Sequence, residues 1–192
     1  GTASPIGKLS FYGPVTLAGS IKTTGTQTYS DDILITTNAT LTATEVILNK
    51  ADAVYPATEV IQNVSGTNLT LDTPTVTVSQ KTNVTAPVEL AKDVEIGGTK
   101  AITFGGATGT AGKNITVTGD VIFNGITVSS PVINNNSVSC TGNVTFADTY
   151  ATATGKTGTF NASAGTVTFN ANVDFSRNTF VSNNGTIVLD PS

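Results

Sequence analysis

The chain has 192 residues, of which only 11% are charged, and its formal net charge is −4. Frequent Val, Ile and Phe with so few charges are typical of a packed core and exclude disorder driven by charge repulsion. The basic residues are scattered and Arg177 is the only arginine, so composition excludes a phosphate-neutralising patch and we expect no nucleic-acid partner. Every apolar run is far shorter than the roughly 20 residues of a membrane helix, so we expect no membrane insertion by this segment.

Short strands are predicted from the first residues to the last, because apolar residues recur two apart and never with the helical period. Each alternating run is short and is bounded by Gly, Asn, Asp or Pro. The pattern appears in Val15/Leu17, Ile33/Ile35, Leu69/Leu71, Val76/Val78, Val88/Leu90 and Val94/Ile96.

A short phrase dominates the C-terminal half. Gly119-Asp120-Val121-Ile122-Phe123-Asn124 returns at 142–147, 165–170 and 185–190, and a copy without the glycine occupies 101–105. The central aliphatic residues stand at positions 102, 121, 144, 167 and 187, so the phrase returns at a nearly regular step. Such a step predicts an all-β parallel β-helix with about 20–23 residues per coil and about eight coils. A β-sandwich is the alternative, because short strands with frequent turns also fit it.

Two further strand series predict three strands per coil. One comprises Ile115/Val117, Val138/Cys140, Phe160/Ala162 and Phe180/Ser182, and the other comprises Ile126/Val128, Tyr150 and Val173/Phe175. We therefore expect two stacked core columns, Val121–Val144–Val167–Ile187 and Phe104–Phe123–Phe146–Phe169–Leu189.

The corners of the coils should use the small and polar residues of the phrase. Gly119, Gly142, Gly165 and Gly185 are expected where φ is positive or where backbones approach closely. Asn124 and Asn170 are candidates for side-chain ladders or left-handed corner positions. Cys140, the single cysteine, occupies an inward position and is predicted to be a small buried hydrophobe.

Residues 45–66 break the alternation. The stretch Asp52-Ala53-Val54-Tyr55-Pro56-Ala57 contains a proline and predicts a loop excursion from one coil. Loops that leave a regular scaffold often carry specific contacts, although a tolerated insertion explains this one more simply. We otherwise treat residues 1–192 as one β-helix segment, interpreted as a fragment of a larger protein.

One N-terminal stretch resembles a known family. Residues 17–35 contain Thr24-Gly25-Thr26-Gln27-Thr28-Tyr29-Ser30-Asp31, followed by an alternating strand and then Asn38-Ala39-Thr40-Leu41-Thr42. This is similar to the phrase of β-strand-repeat and filamentous-haemagglutinin-like bacterial adhesins, which are passengers of autotransporter or two-partner secretion systems. The resemblance implies a right-handed parallel β-helix and an extracellular or outer-membrane-associated location on the bacterial cell surface. It implies no catalytic residue.

The sequence favours no enzyme, metal site or cofactor. A polysaccharide-cleaving β-helix needs clustered carboxylates with basic partners, whereas this chain has no histidine and its acids are dispersed. Asp120 and Asp190 are replaced by uncharged residues in other copies of the phrase, as solvated turn residues would be. The acids Glu89, Asp93 and Glu95 with Lys92 are interpreted as a solvated face, and Asp31-Asp32 as an Asx-type turn.

The favoured function is a structural or adhesive module, a stalk or adhesin passenger. Its expected partners are host or environmental glycans or surface proteins, bound by a monomer. Ice binding is the alternative, because a flat rank of Thr-x-Thr pairs can match a water lattice. The pairs, however, are interpreted as lying at different phases of the coil: Thr26/Thr28, Thr40/Thr42/Thr44, Thr75/Thr77, Thr108/Thr110, Thr116/Thr118, Thr152/Thr154, Thr157/Thr159 and Thr166/Thr168.

Overall fold

The computed structural model describes residues 6–50, 61–109 and 112–190, and these residues form strands and turns without a helix. All of the strands are short. In chain order they are β1 (Leu9–Phe11), β2 (Val15–Leu17), β3 (Ile21–Lys22), β4 (Gln27–Tyr29), β5 (Ile33–Ile35), β6 (Ala39–Thr42), β7 (Val46–Leu48), β8 (Gln62–Gly66), β9 (Leu69–Asp72), β10 (Thr75–Val78), β11 (Thr82–Val84), β12 (Val88–Leu90), β13 (Val94–Gly98), β14 (Ile102–Phe104), β15 (Ile115–Val117), β16 (Asp120–Asn124), β17 (Thr127–Val128), β18 (Val132–Asn134), β19 (Ser137–Thr141), β20 (Val144–Phe146), β21 (Tyr150–Ala151), β22 (Gly158–Ala162), β23 (Thr166–Phe169), β24 (Asn178–Ser182) and β25 (Thr186–Leu189).

The strands form three faces in which every pairing is parallel. Face 1 has the order β1-β4-β7-β10-β13-β15-β18-β21, and face 2 has the order β2-β5-β8-β11-β14-β16-β19-β22-β24. Face 3 consists of β3-β6-β9-β12 and β17-β20-β23-β25, joined through single bridges from Thr108 to Val88 and Val128. Each strand thus pairs with its equivalent in the next coil. The parallel β-helix prediction is confirmed, with about eight coils, and the β-sandwich alternative is wrong.

The strands are short because each contributes only a few inward residues before the chain turns a corner. In β16, for example, Val121 and Phe123 are buried while Ile122 between them is partly exposed. The same alternation, repeated from strand to strand, produces one continuous core along the axis.

The glycines of the phrase do mark tight corners. Gly165 has a φ of 78°, and a Cβ atom there would lie 2.4 Å from the carbonyl oxygen of Gly142 in the preceding coil. Gly119 serves a close approach instead, because its Cβ would lie 2.9 Å from the Cα of Gly97. A left-handed asparagine also occurs, but it is Asn184, with a φ of 77°.

The predicted phenylalanine column is wrong in one respect, because the phrase changes face. Phe104 and Phe123 pair on face 2, and the next residue in that column is Cys140. Phe146 and Phe169 lie on face 3, where they pair with each other and lead to Leu189. The chain therefore completes one coil between Phe123 and Cys140, and it then passes from face 2 to face 3 before it reaches Phe146.

The aliphatic column divides at the same point. Val121 pairs with Val138 on face 2, whereas Val144, Val167 and Ile187 stack on face 3. The other two series were also assembled from different faces. Ile115/Val117 lies on face 1 and the rest of its series on face 2. In the other series, Val128 lies on face 3 with Ile126 just before its strand, whereas Tyr150 pairs with Val173 on face 1. Inward and outward residues alternate identically on all faces, so local pattern cannot distinguish one face from another.

The predicted excursion at 45–66 begins and ends in regular strands. β7 pairs with β4 and β10, and β8 pairs with β5 and β11. Residues 51–60 lie outside the described residues, so the loop itself stays a prediction. Val46 pairs with Val76, and Val76 pairs with Ile96. The stretch of chain from Val46 to Val76 is much longer than the stretch from Val76 to Ile96. The coil between Val46 and Val76 therefore contains the longest connection between paired strands.

Candidate functional site

The acidic residues singled out in the sequence are separated by the fold. Within the described ranges, no three His, Cys, Asp or Glu side chains come together in a way that could hold a metal ion. Lys92 forms an ion pair with Asp72 at 2.7 Å, and Asp93 accepts hydrogen bonds from the backbone and side chain of Asn114. Glu95 projects from face 1 instead, where its Oε1 atom accepts a hydrogen bond from the hydroxyl of Thr118 in the next coil. The predicted charge cluster is therefore three separate coil-to-coil contacts.

Asp31 and Asp32 form an ion-pair corner between faces 1 and 2. The Lys50 Nζ atom lies 3.1 Å from Asp31 Oδ1 and 2.9 Å from Asp32 Oδ1. Burial raises the pKa of Asp32, but hydrogen bonds from Lys50 and Asn63 outweigh it and hold the pKa below its ordinary value. Burial likewise lowers the pKa of Lys50, and the two carboxylates reverse that effect and raise it. Asp31 Oδ1 accepts the amide of the next residue, Asp32, where an Asx turn would take the amide one position further on.

This corner also contacts the described residues that flank positions 51–60. Gln62 is fully buried, and its Nε2 atom donates to the carbonyl oxygens of Tyr29 (3.1 Å) and Asp31 (2.7 Å). Its Oε1 atom accepts the backbone amide of Lys50 at 3.2 Å, and Asp32 Oδ1 accepts the amide of Asn63 at 2.7 Å. The residues just before and just after the segment are therefore tied to the same pair of aspartates. The sequence pattern gives no signal of this role, because Lys50 follows the aspartates only after a full coil of intervening chain.

A second surface is the outward side of face 1, which we call the face 1 rank. Its first column contains Thr26, Glu45, Thr75, Glu95 and Thr116 in successive coils. The neighbouring column contains Thr28, Ile47, Thr77, Gly97 and Thr118. Successive coils are about 4.8 Å apart, so the first column forms a continuous row of hydroxyls and carboxylates. In the second column, Ile47 and Gly97 separate the threonines.

The glutamates of the face 1 rank are held by the threonines that follow them. Thr77 Oγ1 donates to Glu45 Oε1 at 2.5 Å, and Thr118 Oγ1 donates to Glu95 Oε1 at 3.2 Å. One oxygen of each carboxylate is therefore tied to the neighbouring coil.

The face 1 rank corrects the interpretation of the Thr-x-Thr pairs. Thr26/Thr28, Thr75/Thr77 and Thr116/Thr118 occupy the same two columns in alternate coils, whereas the sequence suggested that they are out of phase. The long connection between β7 and β8 conceals this register, because it lengthens the interval between the first pair and the second. Thr40/Thr42 and Thr166/Thr168 lie on face 3.

The interior contains two clusters of buried polar side chains that the sequence pattern does not indicate. The Tyr29 hydroxyl donates to Gln27 Oε1 at 2.9 Å, and the Asn134 Nδ2 atom lies 2.7 Å from the Tyr150 hydroxyl. Burial raises the pKa of both tyrosines. These closed, buried networks support the core and are not accessible sites. The prediction that Cys140 is a buried hydrophobe is confirmed, and burial raises the pKa of its thiol to about 12.

Comparisons with known proteins found no matching family model, no matching curated protein and no matching solved structure. Within the ranges that the structure describes, no helix is long and apolar enough to cross a membrane.

Proposed function

We propose that this chain is a structural and adhesive module of a large exported bacterial surface protein, acting as a stalk or adhesin passenger. The face 1 rank is the observation that carries the adhesive part of the proposal. The continuous core and parallel coil-to-coil pairing support the structural part, because each coil is braced by its neighbours along the whole axis.

Glycans are the ligand class that the face 1 rank suits. Thr75 and Thr116 offer hydroxyls that both donate and accept, and Glu45 and Glu95 offer carboxylate acceptors for sugar hydroxyls. Threonine is stiff at χ1, so ordering its hydroxyl on binding costs little entropy. Individual contacts of this kind are weak, but their repetition every coil provides multivalent attachment to a long polysaccharide.

Ice binding is the second candidate, since three Thr-x-Thr pairs share two columns of one face. The residues of the intervening coils weaken it. Glu45 and Glu95 place a carboxylate between successive threonine pairs, and a charged group retains its own hydration rather than a neutral water lattice.

Glu45→Gln combined with Glu95→Gln distinguishes the two functions. The exchange keeps the size of each side chain and removes the charged acceptors. Glycan-array binding should fall if the rank is adhesive, whereas ice uptake should stay or rise if the threonines order water. Glu89→Gln, an exposed substitution on face 3, is the matched control.

The measurement is a glycan array and an ice-uptake assay on the same wild-type and variant preparations. Glycan binding that the double variant lowers and the control preserves would support adhesion through face 1. Ice uptake by the wild-type chain would overturn it. Silence in both assays would also contradict adhesion by this face and would leave only the structural role.

A further inference from the structure

The residues of the face 1 rank alternate with a period of two coils. In every second coil a threonine occupies both columns. In the coils between, a glutamate occupies the first column, and the second column has a residue whose side chain forms no hydrogen bonds. The threonine coils contain Thr26/Thr28, Thr75/Thr77 and Thr116/Thr118, and the intervening coils contain Glu45/Ile47 and Glu95/Gly97. The rank therefore repeats about every 9.6 Å along the axis, which is twice the spacing between neighbouring strands.

The hydrogen bonds of the rank repeat with the same period. Glu45 accepts a hydrogen bond from the hydroxyl of Thr77, and Glu95 accepts one from the hydroxyl of Thr118. In both cases the donor lies in the second column of the next coil. Gly97 leaves room for the second bond, because a Cβ atom there would lie 2.4 Å from Thr118 Oγ1. Both carboxylates are therefore held in the same way, two coils apart.

Both carboxylates have capacity for a further donor. Glu95 is exposed and Glu45 is half-buried. An ionised carboxylate has about four acceptor positions, so the bond from one threonine does not saturate it. An ammonium group is a suitable donor, because a hydrogen bond between two charged groups is stronger than one between neutral groups.

The charge of the rank favours a cationic ligand. Glu45 and Glu95 are the only charged side chains in its two columns. Lys8 continues the first column two coils before Glu45, and Lys92, at the corner before β13, forms its ion pair with Asp72 at 2.7 Å. A polysaccharide that carries acidic groups would be repelled by the two carboxylates, whereas one that carries protonated amines would be attracted.

We propose that the face 1 rank binds an extended β-1,4-linked polymer of amino sugars, which lies along the solenoid axis with its ammonium groups on Glu45 and Glu95. Successive sugars of such a polymer are turned over, so the amine occurs at every second sugar along one edge of the chain. Each sugar advances the polymer by nearly one coil spacing, so these amines recur with the two-coil period of the glutamates. The hydroxymethyl group of the sugar between them faces Thr75 and Thr77. This inference rests on the proposed adhesive function of the face 1 rank and names its ligand class.

Isothermal titration calorimetry of the intact chain with a β-1,4-linked glucosamine hexamer is the first test. The fully N-acetylated hexamer is the matched ligand, because it keeps the length and linkage and removes the ammonium groups. We expect the free-amine hexamer to bind about tenfold more tightly, and added salt should reduce this difference.

The glutamates should account for the preference. Glu45→Gln and Glu95→Gln should each lower the affinity for the free-amine hexamer about twofold to fivefold, the usual effect of one exposed ion pair. Neither variant should change the affinity for the acetylated hexamer. Glu89→Gln, an exposed substitution on face 3, is the matched control and should bind both hexamers like the wild type.

Moving one carboxylate tests the two-coil period. Glu45→Gln combined with Thr75→Glu keeps the net charge but places the two carboxylates in adjacent coils, because position 75 pairs with Glu95. Affinity for the hexamer should fall at least as far as in Glu45→Gln alone. Binding of an oligolysine of equal charge should persist, because its flexible side chains impose no such period. Both positions face outward, so the thermal melt should match that of the wild type.

Each contrary outcome has a distinct meaning. Equal affinity for the two hexamers would overturn the ligand class, and so would failure of the free-amine hexamer to bind while a glycan array detects another ligand. Adhesion by face 1 would stand in both cases if binding still depended on Glu45 and Glu95. Wild-type affinity in the shifted variant would overturn the match of periods. Absence of binding to both hexamers together with a silent array would overturn this inference and the adhesive function alike.

Discussion

The two halves of the solenoid fill their interiors with different side chains. Between Ile33 and Phe104 the coils are lined mainly with Leu, Ile and Val, such as Leu41, Leu71 and Val76, and they border a cavity of about 20 Å³. The later coils contain a connected set of rings in which Phe146 and Phe169 stack at 4.9 Å and Tyr150 meets Phe146 edge-on at 5.3 Å.

The difference shows what aromatic residues contribute to a narrow solenoid. Tyr150 of face 1, Phe160 of face 2 and Phe146 of face 3 come from all three faces and touch one another near the axis. A ring is long enough to reach its counterparts, whereas branched aliphatic side chains from three faces leave a small gap between their ends. The aromatic half therefore gains dispersion and ring-edge contacts. The aliphatic half lacks such contacts where its side chains border the cavity.

The largest expected effect is the loss of folding in Phe146→Asp. Phe146 is fully buried and contacts the rings of Phe123, Tyr150, Phe160 and Phe169, so the substitution would place a carboxylate in a dry aromatic cluster. We expect no cooperative thermal transition by circular dichroism. A variant that melts like the wild type would show that this residue does not face the core.

Truncation in each half gives a direct comparison. Phe146→Ala should cost about 3–5 kcal/mol of unfolding free energy, the usual range for a buried phenylalanine. Leu71→Ala should cost about 2–3 kcal/mol, the lower part of the leucine range, because Leu71 already borders the cavity. Chemical denaturation of the two variants measures both, and equal costs would contradict the packing difference.

Acid should weaken the first half before the second. Hydrogen bonds from Lys92 lower the pKa of Asp72, the Asn114 amide lowers that of Asp93, and the contacts of the ion-pair corner lower that of Asp32 despite its burial. A carboxyl with a depressed folded pKa stabilises the protein above its ordinary pKa of 3.8, and this contribution disappears as the pH falls through the folded value. In the later coils, Asp174 is the described carboxyl with a lowered pKa.

Hydrogen exchange at pH 7 and after equilibration near pH 3 checks this expectation. Amides of β5, β8 and β9 should lose protection before those of β20 and β23. Lys50→Met is the matched variant, because it removes the partner of both aspartates and should reduce the acid sensitivity of β5 and β8. Simultaneous loss of protection in both halves would contradict a regional effect.

The smallest effect should be a gain in stability. Val64 borders the cavity and is buried, so Val64→Ile adds one methylene group to empty space and should stabilise by up to about 0.8 kcal/mol. Val138→Ile adds the same group in the aromatic half and should destabilise by about 1–3 kcal/mol. Opposite signs in thermal melts would confirm the comparison, and a destabilised Val64→Ile would refute it.

Several features of this architecture could be predicted from the residues alone. The returning phrase with glycine at its start predicted stacked coils and tight corners, and Gly165 and Gly119 occupy such corners. The inward alternation of Val138 and Cys140 correctly predicted a buried thiol. These inferences succeed because the period of two within a strand and the return of a corner glycine are local properties of the chain.

The candidate sites could not be predicted in the same way. The contact of Lys50 with Asp31 and Asp32 joins adjacent coils, and the hydrogen bond from Thr77 to Glu45 does the same. No single period connects these partners, because the coils differ in length. The coil that separates Val121 from Val138 is much shorter than the one that separates Val46 from Val76.

The residue pattern alone is enough to predict the all-β class, the stacking of coils, the alternation of core and surface residues, and the positions of the glycine corners. The face that each strand joins becomes known only from the folded chain, which places Phe123 and Phe146 on different faces. It also aligned the threonines and glutamates of face 1 and brought two aspartates to one lysine. A strand's own residues specify which of its sides faces inward, whereas the strands that it pairs with depend on the accumulated length of every turn before it.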